Sequence, residues 1–290
     1  MNKAATSLFG IAVSLLLAGL VAWSGSQGGV LVGSLPLFTA CVVAAIAIQW
    51  LCFIPAFVYQ TERYYDLVGS LTYLSLLGIG LMFSSGPDVR SWLIASMVAI
   101  WAIRLGSFLF LRIRADGRDV RFERIKPDLL RFLMTWTLQG LWVTMTFSAG
   151  LAAITSGQQK ALDVFLVVGA ALWLFGFAIE VLADRQKRQF RREPDNTDRF
   201  ITTGLWKYSR HPNYFGEILL WLGIAVVAFP VLQGWQLLTL VSPVFVYVLL
   251  TRVSGIPMLE AAGRRRWGED PSYQDYMRRT PRLVPGFPVN

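Results

Sequence analysis

Apolar runs of about twenty residues recur along almost the whole chain, and this feature leaves few folds open. They fall at roughly 6–24, 34–57, 67–85, 92–111, 133–154, 161–183, 216–230 and 234–252. In a bilayer every backbone N–H and C=O must find a partner without water, and a helix satisfies them within its own segment. Charged residues make up only 16% of the chain, against about 25% in a soluble domain. The expected fold is therefore all-α: a polytopic integral membrane helical bundle with seven to eight transmembrane helices. It reads as a single transmembrane domain over residues 1–290, with a core at roughly 34–285 and an extra N-terminal span within 1–30. The first run, Leu8 to Val21, is followed by Trp23 and a glycine-rich stretch rather than a small-residue cleavage site, so it reads as a retained span. Gly86-Pro87, Gly157 and Gly234 fall where the runs need turns.

The net charge of +9 would suggest nucleic acid in a soluble protein. Here its distribution has another cause, so no nucleic-acid partner is expected. Of the 27 Lys and Arg residues, 22 fall in three segments, 112–131, 185–210 and 252–282, which the positive-inside rule puts on the cytoplasmic side. Counting spans between these segments is consistent with eight spans and both termini inside; seven fit if the first run is not inserted. Cys41 and Cys52 share an apolar run and read as small packing residues, with no disulfide or metal framework. The single histidine, His211, has no second histidine or nearby cysteine, so no metal site is expected.

The longest polar stretch between apolar runs extends from Glu180 to Glu217. Glu180, Asp184, Arg188 and Arg191 recur at helical spacing and form one face of a helix that continues past the apolar run. Glu180 is flanked by apolar residues, and an intramembrane carboxylate is a functional-site hypothesis. Such carboxylates can accept hydrogen bonds from ribose hydroxyls or an amide, while Arg188, Arg191 and Arg199 suit phosphate. Next comes GLWKYSRHPNYFGE, a dense polar turn leading into an apolar helix at Pro212. Tyr208, Arg210, His211, Asn213, Tyr214 and Glu217 make it a candidate anion site. Arg104, deep in the fourth run, should face the bundle interior and an anionic partner. In the short loop 59–66, Glu62 with Tyr64 or Tyr65 is a candidate pair for hydrogen-bonding a substrate oxygen. The third basic segment reads as a solvated charge run lying on anionic lipid headgroups, or as a cover over a cofactor. Gln139 reads as interhelical packing.

GLWKYSRHPNYFGE, with the Arg-rich helix end before it, YQDYMRRTPRLVPGF near the C-terminus and TERYYDLVGSLTY upstream, resembles the steroid 5-alpha-reductase family, closest to its bacterial membrane branch. The similarity covers roughly residues 58–285. It implies an NADPH-dependent membrane reductase of the carbon–carbon double bond of a 3-keto-4-ene steroid or a similar lipophilic enone, held among membrane lipid. It places Asp184, Arg191, Arg199, Tyr208, Asn213 and Glu217 at cofactor positions. Glu180 stands where eukaryotic members carry asparagine, and Arg104 matches a basic residue on the corresponding helix. Glu62 matches the family's catalytic glutamate. The partner tyrosine's position is occupied by Trp101, leaving Tyr64 or Tyr65 to substitute. The resemblance implies a bacterial inner-membrane protein with its cofactor site on the cytoplasmic side, and a protonated Glu62 that hydrogen-bonds the developing enolate. The rival is an S-adenosylmethionine-dependent membrane methyltransferase of the isoprenylcysteine type, which shares an Arg-His-Pro-x-Tyr-x-Gly pattern. Its methyl donor carries no phosphate and has no need of several arginines.

Overall fold

The computed structural model describes residues 2–116 and 122–287. Residues 117–121 of the first basic segment lie outside the described residues. Among the described residues, eight helical segments are long and apolar enough to cross a membrane. The chain is thus an all-α, polytopic integral membrane helical bundle. Its helices are α1 (Lys3–Gly25), α2 (Leu37–Val58), α3 (Tyr65–Phe83), α4 (Val89–Asp116), α5 (Leu129–Thr155), α6 (Val164–Arg192), α7 (Pro212–Ala228), α8 (Val241–Val248), α9 (Gly255–Trp267) and α10 (Pro271–Arg279). A two-stranded ribbon, Leu31–Val32 with Leu35–Pro36, joins α1 to α2. The expected breaks at Gly86, Gly157 and Gly234 are turns with φ of 92°, 69° and 52°, a region open to glycine without strain.

The chain forms two compact units, residues 1–166 with 224–242, and residues 167–223 with 243–290. In the first, α5 is the central helix and packs against α1, α2, α3 and α4. Its composition explains why. Gly140, Thr144, Thr146, Ser148, Ala149, Gly150, Ala152 and Ala153 are small and buried, which lets neighbouring backbones approach closely where lipid offers no hydrophobic drive for association. The hydroxyls bond carbonyls one turn back, as Thr144 does to Gly140 and Thr155 to Leu151, both at 2.9 Å. Gln139 donates to the Tyr65 carbonyl at 3.0 Å, the interhelical role its sequence context suggested. At another point of this unit Arg90, almost fully buried, donates to the Val227 carbonyl and pairs with Asp163 at 3.1 Å.

In the second unit α6 and α7 cross on glycines. A Cβ on Gly176 would lie 2.6 Å from the Gly216 carbonyl oxygen, and one on Gly223 would lie 2.6 Å from that of Gly169. The seven-residue spacing on both helices keeps these glycines on one face. At about 1.5 Å per residue, the 29-residue α6 is about 43 Å long, so its last turns outrun a hydrocarbon core of about 30 Å. The sequence places the end of this apolar run near 183; the helix continues to Arg192 and carries its basic face with it. The final apolar run also differs from expectation. Its helix passes through a π-type stretch, Leu249–Val253, and resumes as α9. The third basic segment is accordingly not a plain solvated tail: it folds as α9 and α10.

Candidate functional site

The site is built within the second unit. Beyond α6 the chain turns back through a short helical turn, Gly204–Lys207, which is fastened to α6 at three points. Trp206 Nε1 donates to the Ala183 carbonyl at 3.1 Å, the Leu205 amide donates to Gln186 Oε1 at 2.9 Å, and Lys187 Nζ stands 4.6 Å from the centre of the Trp206 ring. The next residues are held by the C-terminal segment. The Arg210 amide donates to the Pro281 carbonyl at 2.9 Å, Ser209 Oγ to the Leu283 carbonyl at 2.7 Å, and the Gly286 amide to the Tyr208 carbonyl at 2.9 Å. Tyr276 Oη of α10 reaches the Trp206 carbonyl at 2.8 Å. Burial, the main cause, keeps this phenol protonated well above its ordinary range.

These elements enclose a pocket of about 250 Å³. Lys187, Arg191, Arg199, Arg210 and Arg266 give it five cations, against one carboxylate, Glu260. Its apolar wall is aromatic. Phe200 lies 5.0 Å from Tyr273, 5.6 Å from Tyr276 and 5.7 Å from Trp267 between ring centres, and Trp206 completes the wall. A larger polar hollow of about 530 Å³ shares Arg199, Phe200 and Tyr276 with it.

Glu260 is the hub of the pocket's charge. Its side chain is 11% exposed, and Oε1 lies 2.9 Å from Arg210, 3.4 Å from His211 Nε2 and 3.5 Å from Arg282 Nε, while Oε2 lies 3.9 Å from Arg264. His211 is 6% exposed and its ring stacks on Tyr214 at 5.8 Å. Burial first, then the charges of Lys187, Arg210 and Arg282, push the imidazole down to about 3. Glu260 pulls the other way, but its charge is already shared among three arginines. His211 is therefore neutral, with one nitrogen a donor and the other an acceptor.

Of the residues singled out in the sequence, Arg191, Arg199, Arg210 and His211 line this pocket together, and Tyr214 backs His211. Glu180 is buried where α6 meets α7, its backbone nitrogen facing Gly216; Asp184, Asn213 and Glu217 are half-buried and Arg188 and Tyr208 exposed, none of them in the pocket lining. The other candidates belong to the first unit. Arg104 of α4 has its guanidinium 5.5 Å from the Phe108 ring centre. Glu62 is buried and accepts from Lys126 Nζ. Tyr65 donates to the Thr135 carbonyl at 2.9 Å and packs among Phe122 and Trp136, while Tyr64 is exposed and stacks on Phe110. Trp101 is buried edge-on against Tyr73. Glu62 thus sits against the Lys126 ammonium group. Lys126 went unnoticed because 64 residues separate it from Glu62. Glu260 also lay hidden in a basic run, although it is the only acid between Arg252 and Glu269. Among the described residues, no group of three or more His, Cys, Asp or Glu could hold a metal ion.

The fold and pocket define a polytopic membrane protein with a cationic, aromatic-walled cavity. The chain belongs to the family described as Protein of unknown function (DUF1295), whose model matches residues 52–280. It is 25% identical over 225 residues to an uncharacterized protein of Schizosaccharomyces pombe, a match covering 67% of this chain and 65% of the relative. It is 30% identical over 120 residues to 3-oxo-5-alpha-steroid 4-dehydrogenase 1 of Rattus norvegicus, covering 41% and 40%. With the Homo sapiens enzyme of that name it is 36% identical over 72 residues, covering 25% and 27%. The resemblance to steroid 5-alpha-reductases read from the motifs is thus borne out. These matches span less than two thirds of each relative's length. No solved structure matches the chain.

Proposed function

We propose that this protein is an NADPH-dependent membrane reductase of the carbon–carbon double bond of a 3-keto-4-ene steroid or a similar lipophilic enone. The observation that carries the reading is the pocket of the second unit, five cations to one carboxylate against an aromatic wall, in a chain similar to 3-oxo-5-alpha-steroid 4-dehydrogenase 1. The residues fit a phosphate-rich dinucleotide. Lys187, Arg191, Arg199 and Arg266 suit its phosphates, and Trp206, Trp267, Phe200 and Tyr273 offer faces for a planar ring. The charge balance favours this cofactor over S-adenosylmethionine, a cation without phosphate. Bound NADPH supplies the hydride.

Within the first unit, the Glu62–Lys126 pair is the candidate for polarising a substrate oxygen. Reduction of an enone places negative charge on the ketone oxygen, and a group that holds a proton against that oxygen lowers the barrier. The pair carries such a proton on the Lys126 ammonium, with Glu62 orienting it. The basic segments argue for a cytoplasmic cofactor side and, with the bacterial resemblance, an inner-membrane location.

The test is NADPH binding and progesterone-dependent NADPH oxidation by purified protein in detergent, with product mass measured. Arg191→Ala and Arg199→Ala are each expected to weaken NADPH by about tenfold or more, and product mass should rise by two hydrogens. Binding of S-adenosylmethionine with none of NADPH would replace this reading with the methyltransferase.

A further inference from the structure

The polar atoms of the pocket are not equivalent. Lys187, Arg191, Arg199 and Arg266 line it as cations, Arg266 also pairing with Asp198 at 2.7 Å. Arg210, His211 and Glu260 form a separate group, with side chains 14%, 8% and 11% exposed. Within it Arg210 Nε, His211 Nδ1, His211 Nε2 and Glu260 Oε1 are buried without a hydrogen-bond partner. The contacts of Glu260 Oε1 with Arg210 and Arg282 are ion pairs that lack hydrogen-bond geometry. Buried polar atoms are nearly always paired in a native structure, so four orphans in one pocket call for a ligand or bound water.

Their chemistry selects among ligand fragments. A phosphate offers acceptors only, and Glu260, itself an acceptor, repels it. A hydrocarbon leaves all four atoms unpaired. A vicinal diol offers two O–H donors and several lone pairs: it can donate to Glu260 Oε1 and the acceptor nitrogen of His211 while accepting from the donor nitrogen and Arg210 Nε. We propose that Glu260, His211 and Arg210 form a sugar-hydroxyl subsite that takes a ribose of the nucleotide, with the phosphates held by the other cations of the same pocket. This assignment rests on the nucleotide reading above and adds that the carboxylate is a recognition element.

The experiment measures binding of NADPH, ADP-ribose and inorganic pyrophosphate to purified full-length protein in detergent, for wild type, Glu260→Gln and His211→Gln. Glutamine at either position is expected to weaken NADPH and ADP-ribose by about tenfold or more, the loss of a charge-assisted or buried hydrogen bond; pyrophosphate should stay within twofold in His211→Gln and bind as tightly or more tightly in Glu260→Gln, which removes a negative charge. Arg191→Ala should weaken all three. Unchanged NADPH and ADP-ribose affinity in both glutamine variants overturns the subsite. So does equal weakening of pyrophosphate, which would make Glu260 only a brace for Arg210. Wild-type protein that binds ADP-ribose but not NADPH sinks the reductase reading and retains the sugar subsite; protein that binds pyrophosphate alone sinks both.

Discussion

Replacing His211 isolates the energetics of the buried cluster, because the chain has no other histidine. In the folded protein burial and three neighbouring cations push its imidazole from the ordinary 6.5 down to about 3. Between those values the unfolded chain takes up a proton that the folded chain refuses. Stability therefore falls as pH drops through 6.5, and the penalty is absent above it. At pH 5, about 1.5 pH units below the unfolded value and at about 1.4 kcal/mol per unit, the loss is about 2 kcal/mol. His211→Gln keeps a neutral hydrogen-bonding side chain and cannot titrate. The assay is thermal unfolding of both proteins in detergent at pH 7.5, 6.5, 5.5 and 5.0. Carboxylates away from His211 contribute equally to both, so the difference between the curves belongs to His211 and its contact with Glu260. Wild type is expected to lose on the order of 5 °C more than the variant between pH 7.5 and pH 5. Parallel curves would refute the reasoning: they would mean that the imidazole accepts its proton in the folded state, through solvent access or through a dominant Glu260 charge.

Three further outcomes follow from particular contacts. Gly216→Val forces a side chain to within 2.5 Å of the Gly176 carbonyl oxygen, and is expected to cost at least about 1–3 kcal/mol or to prevent folding; Gly78→Ala, with nothing within 4 Å, serves as the tolerated control in the same unfolding assay. Ser209→Ala removes the bond to the Leu283 carbonyl and the acceptor for the His211 amide, and should cost about 1–3 kcal/mol while raising protease sensitivity of the C-terminal segment. Glu62→Gln and Lys126→Met should each leave NADPH affinity within twofold and abolish enone turnover; full turnover in either would remove that residue from the chemistry.

What the sequence made legible depended on the range of the interaction. The spans were readable because hydropathy is summed over twenty residues, so each error falls at an end. The end of α6 was misplaced in the apolar count alone: the helical spacing of Glu180, Asp184, Arg188 and Arg191 already carried it onward, and it reaches Arg192. Arg191, Arg199, Arg210 and His211 were found because they lie close together in one polar stretch. Glu260, Tyr273, Tyr276 and Trp267 come to the same pocket from more than forty residues away. Only the fold of α9 and α10, formed from what looked like a lipid-facing charge run, brings them there. Lys126 was hidden for the same reason.

Those late additions also change the chemistry assigned to the early ones. A run of arginines and a histidine read by themselves describes an anion site and nothing finer. With Glu260 inside, part of that run cannot face a phosphate, since a carboxylate with 11% exposure already neutralises it. The imidazole, held neutral, no longer adds positive charge. The pocket is then divided between cations that meet charge and a mixed donor–acceptor group that meets hydroxyls. Such a division makes binding depend on a phosphate and a sugar being joined in one molecule. Free phosphate satisfies only part of it, and a nucleoside without phosphate only the rest, so an intact nucleotide should bind far more tightly than either piece.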